Sequence, residues 1–125
     1  MEQKYLIDTN VLIAAQMNSL PEASRKFIAE IIDKDFTISF ITYIEFLGYK
    51  NATKETEDFI ALANVLEINK EIIQRCIKVR KSNVVKLPDA IIAATALVND
   101  LTLTTRNMSD FKNIPGLKII NPWEL

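Results

Sequence analysis

Residues 4–15, which read KYLIDTNVLIAA, decide the fold class of this chain. The first four of them form a short apolar run that is typical of a strand, and this run ends at Asp8. Thr9 and Asn10 belong to the residue types that cap helices. The apolar residues from 11 to 15 then predict a short helix. The sequence therefore opens with a strand that leads directly into a helix.

The same alternation of strands and helices continues to the end of the chain. Further strands are predicted over residues 36–39, 65–68, 101–104 and 118–120. Further helices are predicted over residues 21–32, 41–47, 53–63, 71–80 and 88–97, with a turn at 33–35. This order predicts an α/β sandwich with a mostly parallel sheet. With no linker, repeat or low-complexity tract, we expect one domain over residues 1–125.

Composition excludes several classes of catalytic site. The chain has two glycines, no histidine and one cysteine, Cys76. A Gly-rich phosphate loop, a His-dependent catalytic triad and a structural zinc cluster are therefore excluded. Carboxylates, hydroxyls, amides and the bases of Lys and Arg remain available for chemistry.

The net charge and the apolar runs indicate the setting of the protein. A formal net charge of −1 does not suit a strongly basic nucleic-acid binder, although a local patch or a bound cation can supply positive charge. The N-terminal apolar run is short and contains Asp8, which makes it a poor signal peptide. No run approaches the roughly 20 apolar residues of a membrane span. We therefore expect a reducing, cytoplasmic location.

Four acidic residues interrupt apolar segments where a solvated charge is not expected. Asp8 directly follows a strand, and the carboxyl ends of parallel strands line the functional crevice of such sheets. Glu45 lies in a compact apolar helix, where burying a carboxylate is costly without donors or a cation. Asp89 follows Pro88 in the first turn of the most apolar helix, and Asp110 follows the fourth strand.

Each of these residues also has an ordinary structural explanation. Asp8 fits a helix cap, and Glu45 fits a partly exposed helix position paired with a lysine. Asp89 and Asp110 fit first-turn positions, which the helix dipole favours by about 0.3–1 kcal/mol. Asn107 is a further candidate polar group for the site. No local spacing rule connects the four carboxylates, so only the fold can bring them together.

If they converge, their chemistry is narrowly constrained. Clustered like charges do not all stay ionised without a counter-charge. A hard cation, Mg²⁺ or Mn²⁺, matches a site made of carboxylate oxygens. Such an ion activates water and stabilises a leaving oxygen, so the natural reaction is hydrolysis of a phosphodiester.

Four motifs in order along the chain resemble those of the PIN-domain family, most closely the VapC-type toxins of bacterial toxin–antitoxin pairs. The motifs are LIDTNVLI at 6–13, EFLG at 45–48, LPDAIIAATA at 87–96 and LTTRNMSDF at 103–111, with the tail GLKIINP at 116–122. The third motif is the most specific. Together they span almost the whole chain.

The resemblance implies a three-layer α/β/α domain that acts as an Mg²⁺- or Mn²⁺-dependent endoribonuclease. Asp8, Glu45 and Asp89 would form its acidic centre, with Asp8 and Asp89 as the direct metal ligands. Many family members have an acidic residue where this chain has Asn107. Whether Asp110 replaces it or Asn107 only orders solvent stays open, and so does the number of ions.

The implied reaction is in-line attack of metal-activated water on an RNA phosphorus, leaving 5′-phosphate and 3′-hydroxyl ends. Glu45 would orient or deprotonate that water, and the hydroxyls of Thr9 and Thr105 would position phosphate or water. Basic residues are candidate phosphate contacts, although solvated surface charge is the favoured explanation for each. They are Lys50, Arg80, Lys81, Lys86 and Arg106.

The family also implies a homodimer and a cognate antitoxin that lays a helix into an apolar groove. Phe27, Ile31 and Phe46 are candidates for that groove, although ordinary core is the favoured explanation. Three other functions remain open. They are a catalytically silent PIN-like binding module, a metal-dependent phosphatase or nuclease acting on DNA, and a plain interaction domain whose acidic residues are all caps and surface groups.

Overall fold

Strands and helices alternate along the chain in the computed structural model, which describes residues 3–49 and 52–125. The strands are β1 (Tyr5–Ile7), β2 (Thr37–Ser39), β3 (Asn64–Leu66), β4 (Thr102–Thr104) and β5 (Ile119–Ile120). The helices are α1 (Thr9–Gln16), α2 (Glu22–Asp35), α3 (Phe40–Leu47), α4 (Lys54–Ile60), α5 (Lys70–Ser82), α6 (Leu87–Val98) and α7 (Met108–Phe111). A 3₁₀ turn, Pro122–Glu124, closes the chain.

All strand pairings among the described residues are parallel. Strand β4 lies between β1 and β5, and β2 pairs with β3. Strands β1 and β2 lie side by side, which brings the two ladders together. The predicted α/β class with a mostly parallel sheet is confirmed.

Two apolar cores cover opposite faces of the strands. Consecutive strand residues point to opposite faces, and in β1 Leu6 enters one core while Ile7 enters the other. The Leu6 core contains the apolar side of α6, with Ile72 and Cys76 of α5. The Ile7 core is formed with α1 and α2. The result is the α/β/α layering that the resemblance implies.

The apolar residues proposed for a groove belong to the body of the fold. Ile31 and Phe46 are buried in the Ile7 core. Phe27 is partly buried and packs edge-on against Tyr5, with the two ring centroids 5.4 Å apart. Ordinary core packing, the favoured explanation, is confirmed for Ile31 and Phe46.

Several predicted boundaries are wrong, and the largest differences lie in the second and fourth helices. Residues 33–35 continue α2 to Asp35, because the chain from 22 to 35 contains no glycine or proline to end the helix. Helix α4 ends at Ile60, and β3 begins at Asn64, so the predicted helix over 53–63 is too long. None of the described helices is long and apolar enough to cross a membrane.

Candidate functional site

Asp8 lies where β1 ends and α1 begins, and it serves both elements. Its backbone N–H donates to the carbonyl of Thr104 at 3.0 Å, which ties it to the end of β4. Its Oδ1 accepts the backbone N–H of Thr9 at 2.8 Å, so it caps α1. The predicted helix cap is confirmed, but the second oxygen, Oδ2, is left to face the end of the neighbouring strand.

Two side chains hold Oδ2 of Asp8. Thr105 donates its hydroxyl to this oxygen at 2.7 Å, and Asn10 donates its amide at 3.2 Å. Asp8 is only 5% exposed, and burial raises the pKa of its carboxyl above the ordinary value of 3.8. The hydrogen bonds from Thr105, Thr9 and Asn10 oppose that rise, while the charge of Glu45 adds to it. The site therefore holds a carboxylate whose negative charge is incompletely compensated.

Glu45 reaches the same site from α3. Its Oε1 accepts the hydroxyl of Thr9 at 2.7 Å, and Thr42 Oγ1 lies 3.2 Å from Thr9 Oγ1. The side chain is exposed rather than buried, so the carboxylate does not carry the free-energy cost of desolvation. Among the described residues its partner is this hydroxyl and not a lysine. Thr9 thus connects Glu45 to the loop that carries Asp8.

Asp89 lies in the first turn of α6, with its side chain half-buried. Burial raises the pKa of its carboxyl, and the negative charges of Asp8, Asp110 and Glu45 raise it further. The charge of Lys86, at the start of the same helix, opposes the rise. Since three other carboxylates act electrostatically on Asp89, the fold has brought the four together into one acidic cluster, which we define as Asp8, Glu45, Asp89 and Asp110.

Asn107 and Asp110 form a pair at the edge of the acidic cluster. The Asn107 amide donates to the exposed Asp110 carboxylate, and the Asn107 backbone N–H donates to Thr105 Oγ1 at 3.0 Å. Asn107 precedes α7 but does not cap it with its side chain. The seven residues predicted to act in catalysis, metal binding or positioning therefore lie in or beside the acidic cluster.

The donor chemistry of the acidic cluster fits a hydrated hard cation rather than a closed metal cage. Within residues 3–49 and 52–125, no three His, Cys, Asp or Glu side chains form a group that could hold a metal ion. Magnesium is usually bound through one or two carboxylates and keeps several waters. Asp8 and Asp89 suit that mode of binding, because both are oxygen donors whose carboxyl pKa is raised by burial and then by neighbouring negative charge.

Two residues of the site were not identified from the sequence as site residues. Asn10 was recognised only as a capping residue type, yet its Nδ2 donates to Asp8 while its Oδ1 accepts the backbone N–H of Arg106 at 3.2 Å. Thr42 is fully buried beside Thr9. A polar side chain directly after the first strand was a usable indication for Asn10, whereas Thr42 had none.

The candidate phosphate contacts lie in different places. Arg106 directly follows Thr105 in the chain. The positive charge of Lys86 lowers the pKa of Asp89, against the rise that burial causes. Arg80 and Lys81 are exposed in the last turn of α5. Lys50 lies outside the described residues.

We expect Asp89→Asn to stabilise the metal-free protein at pH 7, raising its Tm by about 1–3 °C. The pKa of Asp89 is raised in the folded state, above its ordinary value of 3.8. Above this value the folded chain therefore binds more protons than the unfolded chain. The contribution of Asp89 to the free energy of unfolding consequently falls as the pH rises. The advantage of the asparagine is therefore present at neutral pH and vanishes at acid pH, where Asp89 is protonated. Thermal unfolding in EDTA across this pH range checks it; an equal Tm for both proteins at pH 7 contradicts it.

Comparison with known proteins places the acidic cluster in context. The family model for the PIN domain matches residues 5–117. A toxin–antitoxin complex from Klebsiella pneumoniae contains a chain that is 34% identical, with 98% of this chain and 100% of that chain covered and a TM-score of 0.79. DNA-bound VapBC from Salmonella typhimurium gives 26% identity, 97% and 99% coverage and a TM-score of 0.80.

A more distant structure shares the fold. VapBC-1 from nontypeable Haemophilus influenzae is 24% identical, with 98% and 100% coverage and a TM-score of 0.79. No curated protein matches the sequence.

Proposed function

This chain belongs to the PIN domain family and is of the VapC type, and on that premise we propose that it is an Mg²⁺- or Mn²⁺-dependent endoribonuclease, the toxin of a type II toxin–antitoxin pair. One observation carries the proposal. Thr9 donates its backbone N–H to Asp8 and its hydroxyl to Glu45, while burial and the repelling charges of Asp8, Asp110 and Glu45 raise the pKa of Asp89. A bound divalent cation would relieve that repulsion.

Asp8 and Asp89 are the proposed metal ligands, with Glu45 beside them. When bound, the ion would lower the pKa of a water molecule and neutralise charge on the phosphate oxygens. Asp8 is pre-oriented for this role, because three donors, the Thr9 N–H, the Thr105 hydroxyl and the Asn10 amide, leave its carboxylate little freedom to rotate. Such supporting hydrogen bonds fix the direction of a ligand and tune its basicity.

Glu45 is the proposed general base. Its exposed carboxylate is held by the Thr9 hydroxyl through Oε1, which leaves Oε2 to orient a water and accept its proton. In-line attack of that water on the RNA phosphorus would leave 5′-phosphate and 3′-hydroxyl ends. Thr9 and Thr105 act as positioning residues, since each hydroxyl is donated to a carboxylate of the acidic cluster.

The fourth position is assigned to Asp110 with Asn107 as its support. The Asn107 amide is donated to Asp110, so the asparagine orients a carboxylate rather than replacing one. Because Asp110 is exposed, it suits contact with the ion through water. This arrangement favours one directly bound ion.

A cognate antitoxin is the proposed partner, and a homodimer in the cytoplasm is the proposed working state. The supporting observation is that the similar chains from Klebsiella pneumoniae and Salmonella typhimurium are found in a toxin–antitoxin complex and in VapBC respectively.

The test is a cleavage panel of single-stranded RNA and of single- and double-stranded DNA, each with Mn²⁺, with Mg²⁺ and with EDTA. We expect cleavage of RNA with either ion, producing 5′-phosphate ends, and no cleavage in EDTA. Cleavage confined to DNA would assign the site to a DNA nuclease. Intact substrates together with an unchanged Tm on adding Mn²⁺ would instead indicate a catalytically silent module.

A further inference from the structure

Arg106 holds an unusual position beside the acidic cluster. It directly follows Thr105, its side chain is exposed, and its guanidinium lies over the ring of Trp123, 4.7 Å from the ring centroid. Within residues 3–49 and 52–125 no carboxylate forms an ion pair with it. Among the described residues, the cation is therefore held by an aromatic face and not by a carboxylate.

The backbone that carries Arg106 is fixed at three consecutive residues. The N–H of Thr105 donates to the carbonyl of Ile120 at 3.0 Å, that of Arg106 to Asn10 at 3.2 Å, and that of Asn107 to Thr105 Oγ1 at 3.0 Å. A loop with every amide bonded in this way presents its side chain from a defined position.

Trp123 is held just as firmly. Its backbone N–H donates to Asn121 Oδ1 at 2.9 Å, and the preceding carbonyl, of Pro122, accepts the hydroxyl of buried Ser24. The ring is half-buried and packs against the Ile7 core. A cation over a Trp face is attracted by the electrons of the ring, and the ring limits the rotamers of the arginine.

The backbone of Arg106 is linked to the acidic cluster through two short connections. Asn10 accepts the Arg106 N–H with one end of its amide and donates to Asp8 with the other, and Thr105 donates to the same carboxylate. A cluster of carboxylates repels the phosphates of RNA. A cation carried by the residue that directly follows Thr105 would attract the strand and help to fix its position.

We propose that Arg106, seated on Trp123, binds a backbone phosphate of the RNA next to the one that is cleaved. The assignment rests on the proposed function and adds a specific substrate-binding residue to it. The guanidinium presents a planar fork of donors that matches two phosphate oxygens, whereas an ammonium is a point charge. Trp123 acts as a positioning residue, because it holds that fork in place before the RNA arrives.

The test measures binding of a fluorescein-labelled single-stranded RNA of mixed sequence by anisotropy, with Mg²⁺, over a range of salt concentrations. A Glu45→Gln parent keeps Asp8 and Asp89 while suppressing cleavage. In this parent, Arg106→Ala is expected to weaken affinity about 5–20-fold and to reduce the salt slope by about 0.7, the value of one lost phosphate contact on a single strand. Arg106→Lys is expected to keep the slope and lose about threefold, and Trp123→Leu to lose a similar amount.

Arg75→Ala is the matched control. Arg75 is exposed on α5, and it lines the same surface cleft as Leu97 of α6. Leu97 is about 12 Å along α6 from Asp89, at a rise of 1.5 Å per residue. Arg75→Ala should leave the affinity and the slope as in the parent. An unchanged slope in Arg106→Ala, or an equal loss in Arg75→Ala, overturns the assignment while leaving the nuclease proposal standing. A parent that binds no RNA overturns the proposed function itself.

Discussion

Asp89→Asn will lower RNA cleavage by at least about 10³-fold while leaving the fold intact. The side chain makes no hydrogen bond with another described residue, so the amide removes charge without breaking a structural contact. Metal-assisted stabilisation of the transition state is worth several kcal/mol, and about 4 kcal/mol corresponds to a thousandfold in rate. Cleavage is measured under single-turnover conditions with excess Mn²⁺, and the fold is checked by circular dichroism.

The same variant separates a catalytic role from a structural one. Saturating Mn²⁺ is expected to raise the Tm of the unmodified protein and to leave that of Asp89→Asn nearly unchanged, since a ligand stabilises only the state that binds it. Glu22→Gln provides the control, because Glu22 is an exposed acidic residue in the first turn of α2. Retained cleavage in Asp89→Asn, or an equal loss in Glu22→Gln, removes Asp89 from the proposed metal site.

Thr105→Val will reduce both the stability and the metal affinity of the protein. Valine has the shape of threonine, but Asp8 loses its 2.7 Å donor and the N–H of Asn107 loses its acceptor. A buried polar group left without its partner costs about 1–3 kcal/mol, or roughly 6–10 °C in Tm for 2 kcal/mol in a chain of this length. The lost hydrogen bond also lets the pKa of Asp8 rise further, so cleavage at limiting Mn²⁺ should fall about 10–100-fold.

Thr95→Val provides a closely matched control for this change. Thr95 is also fully buried, but its hydroxyl donates to the carbonyl of Ile91 within α6, at 2.7 Å. Its loss leaves no charged group without a donor, so urea unfolding should show a change below about 0.5 kcal/mol and cleavage should stay the same. If the two variants are equally destabilised and equally active, the Thr105 hydroxyl does not support Asp8.

The order of strands and helices could be predicted from the sequence because it depends on local patterns. The run that ends at Asp8 and the apolar helix after Pro88 are visible in a few residues each, and both elements are present as predicted. The end of α2 was not predictable in the same way. Three charged residues, 33–35, suggest a turn, but the helix continues until the chain must enter the buried strand β2.

The members of the acidic cluster were likewise predicted, but their environments were not. Glu45 was expected in an apolar helix, and the structure places its side chain at the surface with Thr9 as its donor. Asn10 was known as a capping type, and only the pairing of β1 with β4 places it between Asp8 and Arg106. The contact between Arg106 and Trp123 joins the end of β4 to the terminal 3₁₀ turn, and no spacing rule connects them.

The order of residues alone therefore determined which segments are strands and which are helices. It also determined that carboxylates follow strands or begin helices. Both could be predicted because backbone preference and apolar periodicity act over a few neighbouring residues. The tertiary structure alone decided that the carboxylates of Asp8, Glu45 and Asp110 lie close enough to act on Asp89, and which hydroxyls and amides support the acidic cluster. Parallel strands end at the same edge of a sheet, and side chains far apart in sequence meet there only once the two cores have closed around it.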